Sequence, residues 1–110
     1  MKDAIFLGDS LKAIRGFPED ARKMAGRQIG RVQRGAEPTD WKPFPDIGPN
    51  VREIRVRESG GAFRVIYQAT LADTVVIISA FEKKSQKTPK HEVEKARSRL
   101  RAFLQKGPRT

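Results

Sequence analysis

Phe63-Arg64-Val65-Ile66-Tyr67-Gln68, then Val75-Val76-Ile77-Ile78, then Phe81-Glu82-Lys83-Lys84-Ser85-Gln86-Lys87-Thr88-Pro89 is the stretch that decides how this chain folds. The middle run is apolar at consecutive positions, hence on both faces of an extended chain, and reads as an interior strand over Thr74–Phe81. It stops abruptly at clustered lysines, and Pro89, suited to a first helical turn, opens the next element. A strand ending this way delivers cations to one edge of a sheet, where a phosphate-rich ligand would be welcome.

Working outward, Val51–Arg57 alternates, with Ile54 and Val56 pointing one way and Glu53, Arg55 and Arg57 the other. Glu58-Ser59-Gly60-Gly61 reads as a hairpin turn into a second strand, Ala62–Ala69, and Leu71–Asp73 as the turn into the third. Before them, Gly35–Asn50 holds Pro38, Pro43, Pro45 and Pro49, so it can be neither a regular helix nor a central strand. Trp41, Phe44 and Ile47 are expected to fold this segment onto the core, with Trp41 as a core anchor more than a base-stacking platform.

At the N-terminal end, Ala4–Gly8 reads as a strand, and Asp9 or Ser10 as the cap of a short helix ending at Gly16. Phe17-Pro18-Glu19-Asp20 starts a second helix to about Arg34, with Ala21, Met24, Ala25, Gln28 and Val32 on one face. Gly26 and Gly30 each cost that helix about 1 kcal/mol relative to Ala; four residues apart, they are expected to pack against the sheet. After Pro89, Val93, Ala96, Leu100, Phe103 and Leu104 share a helical face, and Lys95, Arg97, Arg99 and Arg101 take the polar side. The order is β-α-α-β-β-β-α. It predicts one α+β domain over residues 1–110, with helices on one side of a small, mostly antiparallel sheet.

Composition narrows the function. There are 23 basic against 13 acidic residues. Residues 1–50 carry nine basic and seven acidic groups, or +2, and residues 51–110 fourteen and six, or +8. Charge gathered in one half points to a directed polyanion site or an acidic protein partner. With no cysteine and one histidine, disulfides, thiolate zinc sites, cysteine nucleophiles and multi-histidine metal sites are ruled out, and neither metal nor cofactor is expected. No leader-like or membrane-spanning apolar run is present, so a cytoplasmic protein with no membrane partner is expected.

Three segments together resemble a known family: Arg34-Gly35 with Asp40-Trp41-Lys42-Pro43, Glu53–Tyr67 with its Gly-Gly turn, and Ala80–Pro89 followed by the Glu92–Leu100 helix pattern. The chain is similar over nearly its whole length to RelE/HigB-type toxins of bacterial toxin–antitoxin pairs, in their phage-derived branch. The resemblance implies a ribosome-dependent mRNA endoribonuclease that inhibits translation and is neutralised by a cognate antitoxin, of helix-turn-helix type. In such toxins a basic sheet face grips mRNA on the ribosome. The RNA 2′-hydroxyl attacks its own adjacent phosphate, so the protein supplies positioning and charge.

Carried over by residue, the resemblance implies that the basic positions of the first hairpin strand are Arg55 and Arg57. The arginine of the second strand's Arg-x-x-Tyr is Arg64, and the basic pair after the last strand is Lys83 and Lys84. Lys87 and Lys90 are expected to join Arg55 and Arg57 in contacting RNA. Some relatives carry a C-terminal tyrosine for proton transfer. Here the only tyrosine, Tyr67, falls on the strand face opposite Arg64, and the C-terminal neighbourhood offers Lys90 and His91. His91, at a helix N-terminus that disfavours its protonation, is the candidate base. Arg64, Lys83, Lys84 and His91 are thus the expected catalytic set, and neither Arg64 nor His91 should be needed for folding.

Each residue also has a plainer reading. Arg64 could simply pair with Glu53 or Glu58. Arg55 and Arg57 could be outward charges that discourage aggregation, Lys83 and Lys84 a solvated strand end, and His91 a surface histidine. Two other functions share the pattern: a ParE-like toxin that binds DNA gyrase without cleaving RNA, and a non-catalytic, phage-derived nucleic-acid-binding protein.

Overall fold

A computed structural model describes residues 1–106. The elements are β1 (Asp3–Phe6), α1 (Ser10–Arg15), α2 (Glu19–Gln33), β2 (Trp41–Pro43), β3 (Val51–Glu58), β4 (Gly61–Leu71), β5 (Thr74–Glu82) and α3 (Lys90–Lys106). The five strands form one sheet in the order β1-β5-β4-β3-β2. β1 runs parallel to β5 and the other neighbours are antiparallel. The α+β class and the interior place of Thr74–Phe81 follow the sequence reading: β5 lies between β1 and β4.

The helices are not confined to one side. Ile54, Val56, Val65, Tyr67, Val75 and Ile77 pack with Ile14 of α1 and Ala21, Ala25, Ile29 and Val32 of α2. Val51, Ile66, Val76, Ile78 and Phe81 form a second core with Ala96 and Leu100 of α3 and Ile47 of the Pro-rich loop. A strand apolar at every position needs cover on both faces, so two helices on one side and one on the other satisfy β5 where a single layer could not.

The Pro-rich segment adds a strand that the sequence order omitted. β2 pairs with β3 through Trp41↔Ile54, Lys42↔Glu53 and Pro43↔Arg52. As the outermost strand it tolerates Pro43, whose missing amide faces no partner. Phe44 and Ile47 do fold onto the α3-side core. Trp41 does not serve as a core anchor: it is half-buried on this edge, with the Arg52 guanidinium 3.9 Å above its ring.

A bulge in β5 changes the alternation. Ile66 faces Ser79 while Tyr67 faces Ile77, leaving Ile78 without a cross-strand partner on β4. Before it, odd residues of β5 face α1 and α2; after it, Phe81 faces α3 instead. The Ile78 carbonyl accepts a 3.1 Å bond from Arg99 Nη1 of α3, whose Nη2 also reaches Asp9 at 2.6 Å. Arg99 lies across Gly8, where a Cβ would fall 2.4 Å from its Nε and where φ is +52°, so this crossing needs glycine.

Two local expectations change accordingly. Asp9 makes no side-chain cap on α1; its carboxylate serves Arg99, and Ser10 Oγ donates to the Ile77 carbonyl at 3.3 Å. Gly26 and Gly30 do not pack on the sheet. A Cβ at Gly26 would meet nothing within 4 Å, and one at Gly30 would meet only the Arg34 guanidinium, at 3.3 Å.

Candidate functional site

The α3 side of the sheet is covered at one end only. Toward the other end, pairing builds a ladder whose rungs set polar side chains beside Ile66 and Phe81 of the α3-side core. Lys42, Glu53, Ile66 and Ser79 lie across from one another on β2, β3, β4 and β5. The next rung is Arg55, Arg64 and Phe81. The last is Arg57 and Ala62, with the Lys83 amide donating to the Ala62 carbonyl at 2.7 Å. Side chains alternate in facing along a strand, so Arg55, Arg57, Arg64 and Lys83 share this face with Lys42 and Glu53.

Glu53 sits beneath them with 0% exposure. Its Oε1 is 3.5 Å from Arg64 Nε and 3.7 Å from Lys42 Nζ, and its Oε2 accepts a 3.3 Å bond from Thr88 Oγ1. Arg64 is itself only 6% exposed, and its Nη1 donates to the Phe63 carbonyl at 3.1 Å. The plain reading of Arg64, that it pairs with Glu53, therefore describes its Nε side. Neither Glu53 Oε1 nor Arg64 Nε has a hydrogen-bond partner, so charge alone joins them at this contact. Burial lowers the pKa of Arg64, Arg55 and Arg57 lower it further, and Glu53 opposes them. Its guanidinium stays charged, as arginine does throughout the biological range.

Arg55 is held by Asp40, whose Oδ1 lies 2.7 Å from Nη2, with a further bond from Nε at 2.8 Å. Lys83, half-buried, has its pKa lowered first by burial and next by Arg64, with Glu53 pulling the other way and Lys42 and Arg55 adding to the depression. A lysine so placed surrenders its proton more readily than a free one.

The remaining predicted residues are not drawn into this cluster. Lys84, Lys87 and Lys90 are exposed on the loop after β5 and at the start of α3. They make no ion pair among the described residues. His91 is an exposed side chain whose neighbour is Glu92, at 3.5 Å. Tyr67 lies in the opposite core, as its strand parity required, and burial raises its pKa. Arg97 and Arg99, placed on the polar side of the last helix, instead bind the carbonyls of Asp46 and Ile78.

Lys42, Glu53, Asp40 and Thr88 were not foreseen as site residues. Glu53 gave one signal, since it shares strand parity with Arg55 and Arg57 and must lie among cations. Thr88 gave none, because its contact to Glu53 spans 35 residues. Among the described residues, no group of three or more His, Cys, Asp or Glu side chains could hold a metal ion. No helix of the described residues is long and apolar enough to cross a membrane.

Residues 12–101 match the protein family described as Phage derived protein Gp49-like (DUF891). Among solved structures the chain is similar to a doubly arginine-to-alanine-substituted toxin RelE from E. coli in the free state, with a TM-score of 0.61. The two share 18% identity over 94% of this chain and 98% of that one, a likeness of fold. No curated protein is a significant match.

Proposed function

The chain belongs to the Gp49-like phage-derived protein family, and from that premise we propose that it is the toxin of a toxin–antitoxin pair, acting as a ribosome-dependent mRNA endoribonuclease. One observation supports this above the rest. Arg55 lies directly across from Arg64, with Arg57 and Lys83 one rung on, at the uncovered end of a sheet face.

In the proposed reaction the mRNA backbone lies along this end, held by Arg55, Arg57 and Lys42. The 2′-hydroxyl attacks the adjacent phosphorus in line, its proton passing to a solvent water as the new P–O bond forms. Negative charge grows on the non-bridging oxygens, where fixed cations in a partly dry site act most strongly. The P–O5′ bond breaks, and Lys83 gives its proton to the departing 5′-oxygen. The products are a 2′,3′-cyclic phosphate and a free 5′-hydroxyl. Glu53 holds Arg64 in place from below. A cognate antitoxin is the natural partner, and acidic residues on it would both steer association and close the face to RNA.

The test is a reconstituted translation reaction with purified protein, followed by mapping of mRNA 5′ ends, with and without ribosomes. Cleavage within translated codons, abolished by Arg55→Ala with Arg57→Ala, is the expected result. Intact mRNA with continuing translation would overturn it. Growth arrest accompanied by an SOS response and no RNA fragments would instead identify a gyrase-directed toxin.

A further inference from the structure

The outward face of α2 lies on the other side of the molecule from the site just described. From Ala21 to Ala36 the chain carries Arg22, Lys23, Arg27, Arg31 and Arg34 and not one carboxylate. All five are exposed, while Ala21, Ala25, Gln28, Ile29 and Val32 are buried on the inner side. At 100° per residue Lys23, Arg27, Arg31 and Arg34 fall within about 80° of one another opposite that buried stripe, Arg22 lies at the rim of the exposed arc, and Arg22 to Arg34 span about 18 Å of helix axis. Lys23 pairs with Glu19 at 2.9 Å, and Arg31 Nε donates to the Glu37 carbonyl. Arg22, Arg27 and Arg34 have no ion pair among the described residues.

Between Arg22 and the other cations on this arc lies Gly26, exposed, with open space where a side chain would project. A glycine within a helix weakens it relative to alanine, and no neighbour in the fold uses the room. Gly30 is different, for Arg34 lies across it. The outer face thus combines bare backbone with flanking guanidinium groups and no apolar side chain. A membrane-surface helix would turn apolar residues outward, and a protein interface would offer an apolar or aromatic centre. Neither is present. A polyanion of regular shape requires neither.

We propose that the outward face of α2 is a second RNA-binding surface, which docks the sugar–phosphate backbone of double-stranded RNA through Arg22, Arg27 and Arg34, with the backbone approaching closest at Gly26. The choice of RNA rests on the ribosome-dependent reading above; the electrostatics do not. Duplex RNA is recognised mainly through its shape and its phosphates, and this face offers contacts of that kind. The protein would then hold structured RNA on one side and present its cleaving face on the other.

The experiment measures binding of a blunt 20-base-pair RNA duplex, labelled at one end, to the full chain over a range of salt concentrations. Cleavage is not read, so the outcome is independent of whether the nuclease reading stands. Wild-type affinity should fall steeply with salt. The triple variant Arg22→Gln, Arg27→Gln, Arg34→Gln should lose at least about tenfold in affinity, and its log–log slope should flatten by about 2–3, at roughly 0.9 per lost phosphate contact. Lys12→Gln with Arg15→Gln, two exposed cations of α1, should leave duplex binding within about twofold. Gly26→Ala should raise the melting temperature by about 4 °C or more and still weaken duplex binding. Duplex binding unchanged in the triple variant, or lost equally with Lys12 and Arg15, would overturn the proposal. So would a Gly26→Ala protein that melts higher and binds as before. A DNA duplex of equal length that displaces the RNA at equal concentration would overturn the assignment to RNA.

Discussion

Toward α1 and α2, strands β3, β4 and β5 present Ile54, Val56, Val65, Tyr67, Val75 and Ile77, a continuous apolar layer closed by two helices. Toward α3 the same strands present Val51, Ile66, Val76 and Ile78 at one end and Arg55, Arg57 and Arg64 at the other, with Glu53 buried among them. The first face gains free energy from every side chain it removes from water. The second gives up that gain at the end that carries Arg55, Arg57 and Arg64, and desolvates a carboxylate and a guanidinium besides. Burying such a pair is often no better than an apolar replacement. An arrangement that stability does not favour, on the face that is left open, is where function should be sought.

Four perturbations sharpen or break this contrast. The largest effect should come from Glu53→Ala, which strands the buried Arg64 cation: about 3–5 kcal/mol in chemical denaturation. The double change Glu53→Met, Arg64→Leu should recover most of that stability while leaving mRNA uncut. Recovery of cleavage along with stability would mean the pair has no part in chemistry. The same argument corrects the expectation that Arg64 can be removed without harm to folding. Arg64→Ala leaves the buried Glu53 with only the half-exposed Lys42 opposite its charge, so its cleavage rates must be normalised to folded protein.

On the closed face, Ile77→Ala should cost about 3 kcal/mol, from lost burial plus a cavity, with single-turnover cleavage per folded molecule unchanged. Arg55→Ala should do the reverse. Its ion pair with Asp40 is partly exposed and worth at most about 1 kcal/mol, whereas cleavage should fall about 100-fold, near 2.7 kcal/mol of transition-state stabilisation. Stability loss without rate loss would return Arg55 to the role of an ordinary surface charge.

The smallest effect concerns pH. The folded Lys83 pKa lies below the ordinary value of 10.5, so the unfolded chain binds its proton more readily. Stability from this group is therefore reduced at low pH and recovers as pH rises through the folded pKa toward 10.5. Cleavage should move oppositely, declining at a pH below the ordinary lysine range as the ammonium is lost. Lys83→Arg should remove that decline in a single-turnover pH profile. An identical alkaline limb in both proteins would take Lys83 out of the proton transfer.

Four of the five strands and the helices were legible because their signals are local. The doublet alternation of Val51–Arg57, the apolar run of β5 and the Pro89 start each lie within a few residues. The side on which α3 packs was not local, although β5 already implied it by being apolar at every position. The site divides in the same way. Arg55, Arg57 and Arg64 share a face by strand parity, which sequence supplies. Lys83 joins them through a bulge. Lys42 joins through a three-residue edge strand and Thr88 through a contact 35 residues distant, and nothing in single-sequence periodicity encodes either. Gly26 and Gly30 were misread because spacing reveals a shared helical face without saying whether it turns inward.

The unpaired Ile78 makes the placement of Lys83 a matter of counting. Were the same residues to run without the bulge, Phe81 would turn toward α2 and Lys83 would leave the company of Arg64. Delete Ile78 itself and the ladder closes: Ser79 follows Ile77, and Phe81 and Lys83 keep their facing. The strand thus carries one residue of slack. Loss of a single codon there would leave the protein armed, whereas gain of one between Ser79 and Phe81 would turn Phe81 and Lys83 over together. Gains and losses of activity among close relatives would then follow the residue count and the bulge of one strand, a property invisible to any comparison that scores residues only by type.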